Sequence, residues 1–200
     1  MSTSDLFAGL ASHDPRTETR LRARLLADAE RAGLLDVVYR TVDTPVGELL
    51  LAATPNGLVK VAFDSQGHDA VLTELAETIS PRVLRAPDRM DDIARQLDEY
   101  FAGRRKRFDI PLDLQLSHGF RRAVLNHLAE IDYGQVESYA RVALAAGSPK
   151  AVRAVGTACA TNPLPVVVPC HRVVRSDGSM GGYAGGLTAK RILLNLEQAA

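Results

Sequence analysis

Between Val37 and Phe63 three strand-like runs, Val37 to Val42, Glu48 to Ala53 and Leu58 to Phe63, are separated only by turns at Pro45-Val46-Gly47 and Pro55-Asn56-Gly57. A parallel return needs a dozen or more residues, so connections this short force neighbouring strands to run antiparallel. The segment therefore predicts a meander. Helical spacing follows near Asp69–Ile79 and Asp91–Phe101. Residues 37–114 read as a small α+β domain with no catalytic constellation of their own. A basic run, Arg104-Arg105-Lys106-Arg107, closes the second helical stretch. It fits a charged loop, or a phosphate contact near a domain junction.

Residues 1–36 read as an extension, with Asp14-Pro15 as helix cap and first helical residue. Leu21, Leu25, Leu26 and Ala29 recur at helical spacing, and Gly33 supplies a stop. The pattern fits a solvated helix with one apolar face better than a partner-binding element.

Residues 115–200 predict helices. Phe120, Val124, Leu125, Leu128 and Ile131 share one helix face, and Asp132-Tyr133-Gly134 ends it. Ser138 caps a short helix through Ala146. Gly147-Ser148-Pro149 forms a turn, with Ser148 as cap and Pro149 as the first residue of a second helix carrying Val152, Val155 and Cys159 on one face. Two short helices joined by a tight glycine-containing turn are a helix-turn-helix pattern. The chain is then expected to extend through Val166-Val167-Val168 and to turn at Ser176-Asp177-Gly178 and Gly181-Gly182 as a wing-like loop. A last helix is expected over about Thr188 to Glu197.

Charge is balanced over the 200 residues, with 24 Lys and Arg against 24 Asp and Glu. It is unevenly placed. Residues 115–200 hold nine Lys and Arg and five Asp and Glu, a net +4, which leaves −4 on residues 1–114. A basic half suits a nucleic-acid face. No apolar run approaches the roughly 18–20 residues of a membrane span. The opening Met-Ser-Thr-Ser-Asp lacks the basic start and apolar stretch of a signal peptide, so a cytoplasmic protein without membrane contact is expected. Cys159 and Cys170 are the two cysteines and form no CxxC pair, which argues for free thiols rather than structural zinc or a disulfide. No cofactor is expected.

A cysteine next to a histidine is by itself more often a small buried residue than a nucleophile. Here the context narrows the choice: a proline-bounded apolar stretch leads into Cys170-His171, a glycine-rich loop follows, and Glu197 sits on the last helix. A histidine base oriented by a carboxylate is one way to generate a thiolate.

The string Asn162-Pro163-Leu164-Pro165-Val166-Val167-Val168-Pro169-Cys170-His171-Arg172-Val173-Val174 resembles the active-site signature of the O6-alkylguanine-DNA alkyltransferases. Ser138-Tyr139, Arg153-Ala154-Val155-Gly156, Tyr183-Ala184-Gly185-Gly186 and Lys190 fall at that family's spacing, and the resemblance spans roughly residues 36–198. It implies a two-domain α+β fold: an N-terminal ribonuclease-H-like domain with a small antiparallel sheet, and a C-terminal helical domain with a winged helix-turn-helix. It implies direct-reversal repair of double-stranded DNA by a monomer. An alkyl group would pass from O6-alkylguanine, and from O4-alkylthymine, to Cys170. His171 would take the thiol proton through a water, and Glu197 would orient His171. Asn162 would tie the helix-turn-helix to the active-site strand. Arg153 would fill the gap a flipped base leaves. Tyr139 would press on the 3′ phosphate and help protonate the departing guanine. Tyr183 and Lys190 would shape the pocket and polarise Cys170, while Val173 and Ala184 would offer backbone groups to the base. The chain shows no Cys/His set near its N-terminus, so the zinc of some relatives is not expected.

Two further expectations rest on residues alone. Gly181, Gly182, Gly185 and Gly186 flank Tyr183; they either serve turn geometry alone or leave a pocket open to adducts as large as benzyl, with Pro165 as an apolar wall. A DNA-binding module that transfers nothing, whether a helix-turn-helix regulator or an alkyltransferase-like protein whose signature lacks the reactive cysteine, and a Cys-His-Glu hydrolase are the competing classes. The first has no need of Cys170, and the second needs an oxyanion hole that the sequence does not display.

Overall fold

A computed structural model describes residues 14–198, so the N-terminal residues read for a targeting signal lie outside the description. The chain divides into two compact units, Met1–Leu35 and Asp36–Ala200. In the first, α1 (Pro15–Arg31) starts as its sequence dictates. The Asp14 carboxylate accepts from the Arg16 amide at 3.0 Å and from the Thr17 hydroxyl at 2.6 Å. Near Gly33 the Leu34 amide closes the helix onto Ala29 O at 2.8 Å.

The second unit begins with the expected meander, β1 (Val37–Val42), β2 (Leu49–Thr54) and β3 (Gly57–Phe63), each antiparallel to the next. The helix α2 (His68–Thr78) then crosses over, and β4 (Val83–Arg85) pairs parallel with β1. The sheet is therefore mixed, in the order β3-β2-β1-β4. β4 is too short and too little buried to announce itself in sequence.

Leu49 to Ala53 is a continuous apolar run because both faces of β2 are covered. Leu49, Leu51 and Ala53 face the main core, while Leu50 and Ala52 pack with Val71 and Leu75 of α2. A register shift at Ala52/Ala53 turns both Leu58 and Val61 of β3 toward the main core.

The helix α3 (Asp91–Phe101) matches its expected span and buries Leu97 and Tyr100. Beyond it come α4 (Gly119–Leu128), β5 (Glu137–Ser138), α5 (Tyr139–Ala145), α6 (Val152–Ala160), β6 (Val173–Val174) and α7 (Gly186–Gln198). Ser138 caps α5 by accepting from the Arg141 amide at 3.2 Å. Pro149, expected to open the second helix, lies instead in the turn, where the Ala151 amide donates to Ser148 O at 2.8 Å. The helix starts at Val152, which is exposed rather than on the core face with Val155 and Cys159. The short strands β5 and β6 pair in parallel, and Val174 bridges back to Met180, which builds the expected wing-like loop.

One continuous core joins Leu49, Val61 and Phe63 of the sheet to Val124, Val155, Val173 and Leu193 of the helical part. The edge strand β3 is covered on its open side. Leu58 N donates to Pro111 O at 2.8 Å, and Val61 N donates to Pro163 O at 2.7 Å. Capping a free edge in this way removes a template for foreign strands. It also pins the start of the Cys170 loop to the sheet. Among the described residues, no helix is long and apolar enough to cross a membrane.

Candidate active site

The segment leading to Cys170 is not the extended strand that its valines suggested. Leu164 to Val168 fold as a turn, with Val168 N donating to Leu164 O at 2.8 Å. Cys170–Arg172 form one turn of 3-10 helix. Three prolines within seven residues interrupt any ladder, and Val166 sits at φ 73, a left-handed conformation that a β-branched residue rarely adopts. Such a backbone persists only where its surroundings over-determine it. Asn162 supplies much of that. Its side-chain oxygen accepts from Leu164 N at 2.9 Å, and its amide donates to Val168 O at 2.9 Å and to Cys170 Sγ at 3.2 Å. The expectation that Asn162 ties α6 to the cysteine segment describes this geometry, with a turn in place of a strand.

Cys170 is 2% exposed. Burial pushes its thiol up to about 11, against the opposing effects of the Asn162 amide and the Lys190 ammonium. In the resting protein Cys170 is therefore a neutral thiol. His171 is fully buried, and burial holds its imidazole below the usual value, opposed by the Glu197 carboxylate. His171 Nε2 lies 2.9 Å from Glu197 Oε1, while its Nδ1 has no hydrogen-bond partner within the described residues.

Glu197 is the most heavily bonded group of the site. Oε1 accepts from Tyr100 Oη at 2.6 Å and from Arg172 Nη2 at 2.8 Å, besides facing His171. Oε2 accepts from Arg172 Nε at 2.9 Å and from Gly134 N at 3.2 Å. Burial acts to raise this carboxyl, but the bonds from His171, Arg172 and Tyr100 outweigh it and hold it well below the carboxylate range. Gly134 stands at φ 76, and an added Cβ would lie 3.1 Å from Glu197 O, so a side chain there would be strained and crowded.

Lys190 is buried and donates to Val173 O at 2.6 Å. Burial lowers its basicity, and the two cysteines act in the opposite sense. The Tyr183 ring packs edge-on against Phe63 at 5.6 Å and His171 at 6.2 Å. Tyr139 at the start of α5 is half-buried. Burial raises its phenol, with Cys159 and Cys170 acting in the same direction. Val173 and Pro165 are buried, and Ala184 packs half-buried against the core. Arg153 is apart from this cluster, exposed on α6.

The glycines around Tyr183 do not leave an open pocket at each position. A Cβ on Gly181 would fall 2.1 Å from Tyr139 Oη, and one on Gly185 would fall 2.5 Å from the Phe63 ring. Those two glycines permit close approach of aromatic side chains, so the space they leave is already filled. Gly182 and Gly186 face open space, and Gly186 has φ 80.

Sequence reasoning gave no role to Arg172 or Tyr100. Arg172 stood inside the quoted string, and a buried arginine beside a buried histidine requires an anion. Tyr100 carried no signal beyond an aromatic on an apolar helix face. Among the described residues, Glu48, Asp64 and His68 bring ligand atoms within 4.8 Å of one another, but they share no residue with the cysteine site.

Two family models match the chain. The ribonuclease-like domain of 6-O-methylguanine DNA methyltransferase matches residues 37–114, and the DNA binding domain of the same family matches residues 119–199. The constitutive methylated-DNA–protein-cysteine methyltransferase of Bacillus subtilis is 40% identical over 161 residues, covering 80% of this chain and 94% of that protein. The crystal structure of Mycobacterium tuberculosis O6-methylguanine methyltransferase aligns with a TM-score of 0.72 at 37% identity, over 82% of this chain and 93% of that one. A structure of the M. tuberculosis protein in complex with DNA aligns with a TM-score of 0.70 at 37% identity, over 81% and 93%.

Proposed function

The chain belongs to the 6-O-methylguanine DNA methyltransferase family, and from that premise we propose how its own residues repair alkylated DNA. It transfers the alkyl group of O6-alkylguanine in double-stranded DNA to Cys170, once per molecule. The observation that carries this reading is a buried Cys170 thiol, held by Asn162 and followed directly by a His171–Glu197 pair. O4-alkylthymine is a second substrate of the same chemistry. The protein acts in the cytoplasm as a monomer, with catalysis and DNA binding in residues 115–200, the sheet domain in residues 37–114 and the extension in residues 1–36.

An alkyl group on O6 lies inside the duplex, so the nucleotide must leave the stack at a cost of a few kcal/mol. Arg153, exposed on α6, is placed to enter the stack as a finger and recover part of that cost. Neutral His171 accepts the Cys170 proton through a bridging water. Transfer in the resting site runs uphill, because the thiol is held near 11 and the imidazole is held low. The proton therefore moves as the substrate carbon draws electrons from sulfur, and no standing thiolate is required. The sulfur–carbon bond forms as the carbon–O6 bond breaks, and its electrons go to the guanine. Tyr139, its phenol held protonated by burial, assists protonation of that leaving group. Lys190 and Tyr183 shape the pocket, while Val173, Ala184 and Pro165 line the base. The product thioether has no carbonyl for water to attack, which makes the step irreversible.

The test is incubation with duplex DNA carrying O6-methylguanine, followed by mass measurement of the protein. Wild type should gain one methyl group on Cys170 and stop. Cys170→Ser should gain none, since a hydroxyl is far less nucleophilic than a thiolate. Repeated turnover, or methylation elsewhere, would overturn the reading.

A further inference from the structure

Orienting one imidazole needs only one carboxylate oxygen, yet Glu197 also collects a hydrogen bond from a residue far away in sequence. Tyr100 lies on α3, within the segment matched by the ribonuclease-like family model, while Cys170, His171, Arg172 and Glu197 all lie within the other matched segment. The Tyr100 hydroxyl donates at 2.6 Å to Glu197 Oε1, the same oxygen that faces His171 Nε2. We infer that Tyr100 is a positioning residue for alkyl transfer, its phenol fixing Glu197 Oε1 against the His171 ring. The inference rests on the roles proposed above for Cys170 and His171.

Packing alone does not account for the hydroxyl. The Tyr100 ring sits among Phe101, Phe108 and Tyr133, with centroids 5.3, 5.1 and 6.0 Å away. A phenylalanine would fill that space equally well. The Arg172 guanidinium bonds both carboxylate oxygens and sets the plane of the carboxylate. Tyr100 adds a donor on the oxygen that His171 uses. Each donor stabilises the anion and makes Glu197 a weaker base. His171 consequently keeps its Nε2 proton toward Glu197, and Nδ1, which has no partner within the described residues, is the nitrogen free to accept a proton. A freer, more basic carboxylate would hold a charged imidazolium more tightly. His171 would then protonate at a higher pH and cease to act as a base there.

Tyr100→Phe removes this one hydrogen bond and keeps the ring. Single-turnover transfer from duplex DNA containing O6-methylguanine should slow about three- to tenfold at neutral pH, a part of what one hydrogen bond to a charged group is worth. The acid limb of its pH–rate profile should also move to higher pH by roughly half a unit or more. Phe108→Leu, which disturbs the same aromatic cluster and leaves the hydroxyl in place, should lower the thermal midpoint without moving that limb. A Tyr100→Phe profile superimposable on wild type after scaling would overturn the inference, whatever its thermal midpoint. So would an equal shift of the limb in Phe108→Leu. Failure of wild type itself to methylate Cys170 would instead strike the underlying reading, so the two failures are told apart in one set of measurements.

Discussion

Cys170, His171 and Glu197 are each 3% exposed or less; Cys170 is bonded by Asn162, and His171, Glu197 and Tyr100 are linked by hydrogen bonds. Arg153 stands in the open on α6, and among the described residues its guanidinium makes no hydrogen bond or ion pair. One region is finished before any substrate arrives. In the proposed reaction the other gains its partners only when DNA is present. The difference assigns the two halves of the proposed reaction to different kinds of structure. Bond exchange needs groups held to a fraction of an ångström in a dry setting, while opening a duplex needs a long, solvated cation that can follow the strand.

The comparison breaks most visibly at Glu197. Glu197→Gln keeps the shape but leaves Arg172 buried without its anion, and removing one partner of a buried ion pair costs about 3–5 kcal/mol. Denaturant unfolding should show a loss of that size, and transfer should slow by roughly a hundredfold, the scale of a lost general-base contribution. A variant with wild-type stability and rate would place the charge outside the site's economy. Arg153→Ala should do the reverse. Its unfolding free energy should stay within about 0.5 kcal/mol of wild type, as for exposed surface changes. Repair of duplex DNA should slow about tenfold, a share of the few kcal/mol that flipping costs. Transfer from a free alkylated guanine base should be unchanged, because that substrate needs no flipping. Equal losses on both substrates would make Arg153 part of the chemistry and dissolve the contrast.

Acid should sharpen the contrast by a smaller amount. The folded protein holds His171 below its ordinary value, while the unfolded chain takes up that proton near pH 6.5. Below about 6.5 the unfolded state therefore binds more protons than the folded one, and stability falls as pH falls. Glu197 acts in the same direction at lower pH. Its folded carboxyl is held down, so its contribution is present above about 4.3 and is lost on further acidification. Transfer should hold its plateau through pH 6.5 and decline only below it. Urea midpoints that stay level from pH 7.5 down to about 5 would show that His171 is not held neutral by the fold.

The parts of this molecule written in local pattern were readable. The turns at Pro45-Val46-Gly47 and Pro55-Asn56-Gly57 gave the meander, the Asp14 and Ser138 caps gave two helix starts, and α3 was read to its ends. Local pattern also misled. Val166-Val167-Val168 has strand composition, but the side-chain bonds of Asn162 and the contact of Pro163 with Val61 fold it into a turn. Pro149 has a helix-start signature, yet the Ser148–Ala151 turn takes that residue first. In the site, Cys170, His171 and Glu197 were legible because a family signature and chemical type coincide there. Tyr100 was not, since it is separated from Glu197 by most of the second unit and belongs, by periodicity, to the core.

Glu197 also comes last, in order of synthesis, among the residues that share its carboxylate. Translation delivers Tyr100, Gly134, His171 and Arg172 before it. At about 5–20 residues per second, the nascent chain holds a guanidinium destined for burial for one to several seconds before its counter-charge is made. Until α7 docks, the interior around Arg172 cannot close without leaving that cation unmatched. A chain stopped short of Glu197 would forfeit its stability and its chemistry together.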